Sequence, residues 1–327
     1  MREKSVTLGE FVFRRLLHAI PLLLAVVVVN FTIIHLAPGD PVNVMVGDFP
    51  APPEYVERLR QEFGLDRPLW QQLLLYIGNL LRGNFGFSFA NRQPVLQVIF
   101  NRLPATLLLS GTALLFAAIV GVALGVLSSV RPYSWLDNLA SVVALVGFSM
   151  PVFWLGQLLI MGVALELKWL PAQGMVSLRA DLEGWRRALD TAGHLVLPAC
   201  ALSVRFIALN SRIARAAMLD VLRQEYIVAA RAKGLPEGRV VYLHALRNSL
   251  IPIVTVIGFN FGFLLAGSAL VETVFAWPGI GRLLYDSIFA RDYPVIMGIF
   301  LIVCAGIIAI NLLTDIAYAY LDPRVRF

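Results

Sequence analysis

The sequence is poor in charged residues. Only 15% of its 327 residues are Asp, Glu, Lys or Arg, while 58% are hydrophobic. Ordinary soluble domains carry about 25% charged residues. A soluble chain of this size could not bury so much apolar surface, so the composition excludes a soluble globular protein and predicts a membrane protein with several spans. The net charge of +6 therefore does not by itself indicate nucleic-acid binding. It is first tested as a sign of which segments face the cytoplasm.

The residue patterns of common catalytic sites are also missing. No Gly-x-x-x-x-Gly-Lys phosphate loop occurs, so we expect no ATP hydrolysis by this chain itself. The four histidines are scattered without a His-Glu-x-x-His pair, and there is no Gly-x-Ser-x-Gly motif. The two cysteines, Cys200 and Cys304, lie in apolar runs without metal-ligand spacing. The sequence thus offers no candidate catalytic residue and no candidate metal ligand.

Apolar runs long enough to span a membrane make up most of the sequence. A helix needs about 20 apolar residues to cross the hydrocarbon core. The prediction is an all-α polytopic membrane protein with six transmembrane helices, in which residues 104–320 form the membrane core. The six predicted spans are residues 16–37, 104–128, 136–164, 194–218, 250–271 and 295–320.

The distribution of Lys and Arg gives the predicted orientation. With the N-terminus in the cytoplasm, the inner segments hold 14 basic residues and the outer segments 12, and half of the outer ones lie in one long loop that counts little. Both termini are therefore predicted to be cytoplasmic. The cytoplasmic segments are then 1–15, 219–249 and 321–327, and the periplasmic segments are 38–103, 165–193 and 272–294.

Arg205 lies inside predicted span four and Asp315 inside predicted span six, where charge is costly and usually meets a partner or water. Arg205 is seven residues outward from Arg212, and Asp315 is seven residues outward from Asp322. At about 1.5 Å per residue, both lie about 10 Å from the cytoplasmic boundary. This matching depth favours an ion pair between spans four and six. The alternative places Arg205 on a translocation path, in contact with a substrate carboxylate.

The segment Glu225–Pro252 is a long polar interval with a basic excess between two apolar runs. Its first part is predicted to be a helix of good helix formers, and Gly234 stands where a left-handed cap would end that helix. Pro236 can open the next helix as its first residue. Small side chains beside Arg231 and Lys233 make a shallow basic surface that suits docking into a groove on another protein. The alternative is a basic loop that faces anionic lipid.

This segment resembles a known family. Ala229 and Ala230, followed by Gly234 and by the run His-Ala-Leu-Arg-Asn-Ser-Leu-Ile-Pro that ends at Pro252, are similar to the cytoplasmic loop of the permease subunits of ABC importers in the oligopeptide, dipeptide and nickel group. In that family the loop is the coupling helix that engages the ATPase subunit. The family motif has Glu where this chain has Val228, so we do not expect the salt bridge of that Glu here. The resemblance assigns the coupling contact to Glu225, Tyr226, Ala229, Ala230, Arg231, Lys233, Gly234 and Pro252.

The resemblance covers nearly the whole chain and extends to the outer segments. Pro38-Gly39-Asp40-Pro41, Arg102 to Thr106 and the stretch 272–294 are all similar to the family. It implies that loop 38–103 is a platform for a solute-binding protein, with a cap that merely seals the bundle as the alternative. Within this loop we predict a short amphipathic helix at 53–63 and an interfacial helix at 70–81. The outer stretch either helps gate the path or forms a rigid turn, and its candidate residues are Pro278, Gly279 and Asp292.

The resemblance also implies a type I importer fold and a function. Span five would line the path, which makes Asn260 a pathway candidate beside Arg205 and Asp315. The implied function is the permease subunit of an ATP-driven importer for di- or oligopeptides in the bacterial inner membrane. Its partners would be a second permease, two ATP-binding cassette subunits and an extracytoplasmic binding protein. No cofactor is expected on this chain, since ATP and Mg²⁺ would belong to the ATPase subunits. The alternatives are a nickel or glutathione permease of the same family, or a secondary transporter, which would usually show an internal repeat that we do not find.

Overall fold

The computed structural model describes residues 8–36, 52–54, 57–58, 66–177 and 183–321, without the side chains of 8, 263–267 and 317–321. The stretch 38–41, most of the helix predicted at 53–63 and the end of the tail lie outside these residues. The described chain is all-α apart from a two-residue antiparallel pair, β1 (Phe87–Ser88) and β2 (Gln93–Pro94). The α-helices are α1 (Leu8–Leu36), α2 (Leu69–Leu81), α3 (Val95–Val130), α4 (Trp135–Ser149), α5 (Val152–Leu159), α6 (Gly184–Leu222), α7 (Glu225–Ala232), α8 (Glu237–Arg239), α9 (Leu246–Gly267), α10 (Ala269–Val274), α11 (Ile280–Phe289) and α12 (Tyr293–Leu321). A π-helical segment, Ile160–Glu166, continues α5.

Among the described residues, five helical stretches are long and apolar enough to cross a membrane. A sixth is obtained if α4 and α5 count as one span, but these two helices meet at an angle of 103°. The break falls at Met150-Pro151, because Pro151 lacks an amide donor and forces Met150 into an extended conformation with ψ of 129°. The five stretches are Gly9–Leu36, Val95–Val130, Gly184–Leu222, Glu237–Gly262 and Tyr293–Ile316.

Helices α3 and α6 form the centre of the bundle and pack along much of their length. Glycine makes the close approach possible: a Cβ atom on Gly125 would lie only 2.6 Å from the Cβ of Ala214 and from the carbonyl oxygen of Ser211. Leu109 and Ala113 of α3 are fully buried in the apolar core between these helices. The α3–α6 pair is therefore the scaffold on which the remaining helices lie.

Several helices are longer than the apolar runs suggest. Helix α3 begins at Val95 and accommodates Pro104 inside it, and α6 begins at Gly184, ahead of the predicted start at 194. A π-helical turn, Val240–Ala245, joins α8 to α9 without a loop. Hydrophobicity alone could not reveal these extensions, because the added turns contain polar residues such as Arg102 in α3 and Arg186 in α6.

The predicted interfacial segment is helical as α2. Gln72 on this helix lies 3.2 Å from Nε2 of His35 on α1, and the ring of Tyr76 stacks near Phe31. The opposite face leaves Trp70 and Leu74 exposed. A helix with one face docked on α1 and a bare apolar face fits the predicted position in the membrane interface.

Candidate functional sites

The coupling segment ends its first helix as the sequence predicted. Gly234 has a φ of +76°, a left-handed conformation that glycine adopts without steric cost. Its amide donates to the carbonyl of Arg231 at 2.9 Å and closes the end of α7. Pro236 lies one position earlier than predicted, since it precedes α8 as its cap residue with a ψ of 140°.

The two alanines of the motif face opposite ways. Ala230 is buried together with Ile227, which is fully enclosed. Both pack against Val126 of α3 and Met218 of α6 in one apolar cluster at the predicted cytoplasmic end of the bundle. Ala229 is exposed, and so are Glu225, Tyr226, Val228, Arg231, Lys233 and Gly234. Helix α7 is thus fixed on the scaffold by one face and presents a low, open surface with the other, which we call the coupling surface.

One positive charge on the coupling surface, that of Arg231, is neutralised by a carboxylate of the same segment. Arg231 makes a two-pronged ion pair with Glu237, with N–O distances of 2.6 and 3.1 Å. This carboxylate raises the pKa of Arg231 above its ordinary value, but both side chains are exposed, so the pair contributes little to stability. The Tyr226 hydroxyl accepts a hydrogen bond from Nδ2 of Asn248 at 2.7 Å and ties α7 to α9. Pro252 lies exposed inside α9, away from these contacts.

A cavity of about 670 Å³ opens where the broken span meets α6 and α9. Its wall includes the break at Met150-Pro151, Arg205 of α6 and Asn260 of α9. The other lining residues are almost all apolar. Two of the predicted pathway candidates, Arg205 and Asn260, are therefore brought together here.

The predicted ion pair between Arg205 and Asp315 is wrong. Asp315 instead pairs with Arg15 of α1 at 2.6 Å, and the Arg205 guanidinium carbon lies 5.1 Å from the ring centre of Phe148. Equal depth in the membrane did not place the two residues on facing sides of their helices, and α1 supplies the cation for Asp315. Asp315 does not line the cavity. Its ion pair with Arg15 joins α1 to α12, and Arg205 is left without this partner.

Asn260 holds three helices together. Its Nδ2 donates to Oδ1 of Asn210 at 3.1 Å, and Nδ2 of Asn210 donates to the carbonyl of Ala117 at 3.2 Å. Both asparagine side chains are buried, which suits interhelical hydrogen bonding inside a membrane bundle. Asn260 thus lines the cavity with its amide already engaged in the packing of α3, α6 and α9.

A buried ion pair near the predicted cytoplasmic end escaped the sequence analysis. Asp137 at the start of α4 accepts two hydrogen bonds from Arg215 of α6, each at 2.7 Å. The same carboxylate accepts the amide of Tyr133 at 2.8 Å, and its side chain is 3% exposed. The signal in the sequence was weak: an acid at the second position of one predicted span and an arginine near the end of another. The pair fastens the broken span to the α3–α6 scaffold.

The outer stretch is anchored by a buried glutamate that we also missed. Glu272 at the outer end of α10 is fully buried. Its Oε1 accepts the hydroxyls of Thr106 and Ser268, both at 2.9 Å, and its Oε2 accepts the amide of Arg282 at 2.9 Å. Thr106 in turn accepts the amide of Ile280 at 2.7 Å. A side chain from α10 thereby caps α11, where the helix dipole favours a negative group.

The gate candidates lie around this anchor. Gly279 sits directly against the Glu272 carboxylate, so that any Cβ there would collide with it. Pro278 follows Trp277, which is fully buried and donates its indole N–H to the carbonyl of Ala105 at 2.8 Å. Asp292 is buried further along and accepts the hydroxyl of Ser88 at 2.5 Å. All three residues belong to a closely packed outer layer.

Comparison with known proteins agrees with this architecture of a polytopic transport subunit. Residues 121–327 match the family described as binding-protein-dependent transport system inner membrane component, and residues 8–110 match the N-terminal part of such components. The chain belongs to this family, as the resemblance implied, and it is a multi-pass protein of the bacterial inner membrane that works in a transporter complex.

Individual relatives match over nearly the whole length. The chain is 43% identical to the di/tripeptide transport system permease protein DppB of Pseudomonas aeruginosa, over 97% of this chain and 98% of that protein. It is 42% identical to the dipeptide permease DppB of Escherichia coli K12, over 97% and 98%. The glutathione transport system permease protein GsiC of E. coli K12 is also 42% identical, over 97% and 99%. These relatives are permease subunits and not enzymes.

Solved structures show the same fold. The methionine ABC transporter MetNI in an inward-facing conformation matches with a TM-score of 0.56 at 18% identity, over 69% of this chain and 97% of that chain. An amino acid ABC transporter matches with a TM-score of 0.52 at 16% identity, over 69% and 94%. The predicted importer permease fold is confirmed.

Proposed function

We propose that this chain is the permease subunit of an ATP-driven importer of small peptides. The observation that carries the substrate class is the near-equal identity, over whole chains, to di/tripeptide, dipeptide and glutathione permeases. Glutathione is itself a small peptide with free carboxylates, so the three relatives share one substrate chemistry. The proposal includes a second permease, two ATP-binding cassette subunits that use ATP and Mg²⁺, and an extracytoplasmic binding protein.

Coupling to ATP hydrolysis takes place at the coupling surface. The buried face of α7, with Ile227 and Ala230, rests on α3 and α6. A displacement of α7 must therefore be transmitted to the scaffold. The outer face is low because Ala229 and Gly234 carry little or no side chain, which suits insertion into a groove of an ATPase subunit. To drive transport, this groove must bind α7 with different free energies in the two ATPase states. The exposed Val228 takes the place of the family glutamate, so apolar contact and Lys233 provide the docking interactions here.

The outer layer anchored by Glu272 forms the periplasmic closure of the path. Pro278, Gly279 and Asp292 act in this layer by keeping α11 seated on α3. The loop 38–103, whose Ser88 bonds Asp292 of this layer, offers the docking platform for the binding protein.

Gly234→Pro tests the coupling role. Proline fixes φ near −65°, whereas position 234 has a φ of +76°, so α7 cannot end in its present geometry. We expect normal membrane insertion and loss of peptide uptake by the reconstituted complex. Gly238→Ala is the matched control, because a Cβ there meets nothing within 4 Å. Normal uptake by Gly234→Pro would refute the coupling role.

Affinity purification from the native membrane tests the assembly. Co-purification of a second permease and ATPase subunits, with vanadate-sensitive ATP hydrolysis, is the expected result. A chain that purifies alone in several mild detergents, with no associated ATPase, would favour the alternative of a secondary transporter.

A further inference from the structure

The cavity at the broken span contains one charged side chain, Arg205, that makes no hydrogen bond or ion pair among the described residues. The cavity has polar groups at Ser149, Arg205 and Asn260. The Ser149 hydroxyl donates to the carbonyl of Leu145 at 2.8 Å, and the Asn260 amide donates to Asn210. Arg205 is exposed, its guanidinium carbon lies 5.1 Å from the ring centre of Phe148, and no carboxylate pairs with it in the part of the chain that the structure describes. A permanently charged guanidinium at this depth is costly unless it meets water or an anion.

The broken helix adds partial charges to the same wall, but they do not decide its sign. The end of α4 at Ser149 presents backbone carbonyls, and the start of α5 at Val152 presents backbone amides, with no side-chain cap on α5. Helix ends carry partial charges of about half a unit, negative at the C-terminus and positive at the N-terminus. The two ends therefore offset one another, and the full charge of Arg205 makes the cavity attractive to anions.

The geometry points to a binding site for the free carboxylate of the transported peptide, with Arg205 as the group that holds it. A guanidinium presents paired N–H donors that match the two oxygens of a carboxylate, and such charge-assisted pairs are strong where water is sparse. The aromatic ring of Phe148, which also lines the cavity, lies within cation–π distance of the guanidinium. The volume of about 670 Å³ lies within the range of about 300–1,000 Å³ of small-molecule sites. This inference rests on the proposed function.

A second anion could reach the same group. A carboxylate of the neighbouring permease subunit could satisfy Arg205 on assembly, and Arg205 would then stabilise the complex without touching substrate. The two situations differ in what a substitution changes: loss of a substrate contact alters the preference among ligands, whereas loss of a subunit contact alters assembly.

The test compares two probes that differ at one end, alanyl-alanine and alanyl-alanine amide. Binding of radiolabelled alanyl-alanine to the purified whole complex, without the binding protein, is competed with each unlabelled probe. We expect the amide to compete at least about tenfold more weakly with the wild type, since it lacks the charge for Arg205. Arg205→Gln should lose this preference and slow uptake by about tenfold or more, and Arg205→Lys should retain part of both. Arg212→Gln removes an exposed charge from the same helix outside the cavity and should behave as wild type.

Several results would overturn the inference. These are equal competition by the two probes in the wild type, an unchanged preference in Arg205→Gln, uptake without any detectable binding to the complex, and loss of the partner permease from Arg205→Gln. Absence of peptide uptake by the wild-type complex together with its binding protein would instead contradict the proposed function itself, so the two failures are distinguishable.

Discussion

Replacement of Glu272 by glutamine should loosen the outer layer without removing any bulk. The carboxylate accepts three hydrogen bonds through its two oxygens. A glutamine can keep its carbonyl toward Thr106 and Ser268, but its NH₂ group then faces the amide of Arg282, donor against donor. A buried donor left without an acceptor costs about 1–3 kcal/mol, and the lost attraction of the buried charge to the start of α11 adds about 1 kcal/mol. The expected destabilisation of the α10–α11 segment is about 2–4 kcal/mol.

Hydrogen–deuterium exchange of the α11 amides in the purified complex measures this change directly. Since each 1.4 kcal/mol is a factor of ten, the exchange rate at Ile280 and Arg282 should rise roughly 30- to 700-fold, while amides of α6 stay unchanged. Asp286→Asn is the control, because it removes a carboxylate from the same helix at an exposed position. Thr106→Val should have a related effect, and the double variant should fall short of the sum because the two residues share one hydrogen bond. Exchange in Glu272→Gln within threefold of wild type would show that this network does not hold the outer layer.

Two further substitutions test the scaffold. Asp137→Asn leaves the Arg215 guanidinium opposite an amide. Because Arg215 is 27% exposed, we expect a loss of stability of about 2–3 kcal/mol, below the full value for a buried pair. The complex should melt at a lower temperature than the one with the exposed control Asp220→Asn, and equal melting temperatures would contradict the expectation. Gly125→Ala places a methyl group 2.6 Å from Ala214 and should cost about 1–3 kcal/mol by forcing α3 and α6 apart. Gly111→Ala on the same helix meets open space and should melt as wild type, so similar melting of the two glycine variants would count against the close crossing.

The features predicted well from the sequence depend on local chemistry. Glycine at position 234 and proline at 151 act through their own backbone limits, so a left-handed cap and an interrupted span follow from single residues. The size of the break, 103°, could not be predicted, since it depends on how α5 packs against its neighbours.

Partners across the bundle were predicted poorly. Depth along a helix can be counted from the sequence, but the direction in which a side chain points around the bundle cannot. Arg205 and Asp315 match in depth and still face different neighbours, whereas Asp137 and Arg215 meet because α4 begins beside the inner half of α6. Glu272 carried a readable signal, an acid at the end of an apolar run just before Trp277-Pro278-Gly279, but its buried partner Thr106 lies far away in the sequence.

The π-helical turn at Val240–Ala245 has a mechanical consequence. Because it joins α8 to α9 without a loop, residues 237–260 form one lever that reaches from Glu237, the partner of Arg231, to Asn260 at the cavity wall. At about 1.5 Å per residue this lever is about 35 Å long. A tilt of about 10° about its Glu237 end would carry the cavity wall sideways by roughly 6 Å. Under the proposed function, a modest push on the coupling surface would therefore be geometrically amplified at the proposed peptide site. The wide turn also holds one residue more than an α-helical turn, and a change in its winding would rotate Asn260 relative to Asn210 without bending the lever.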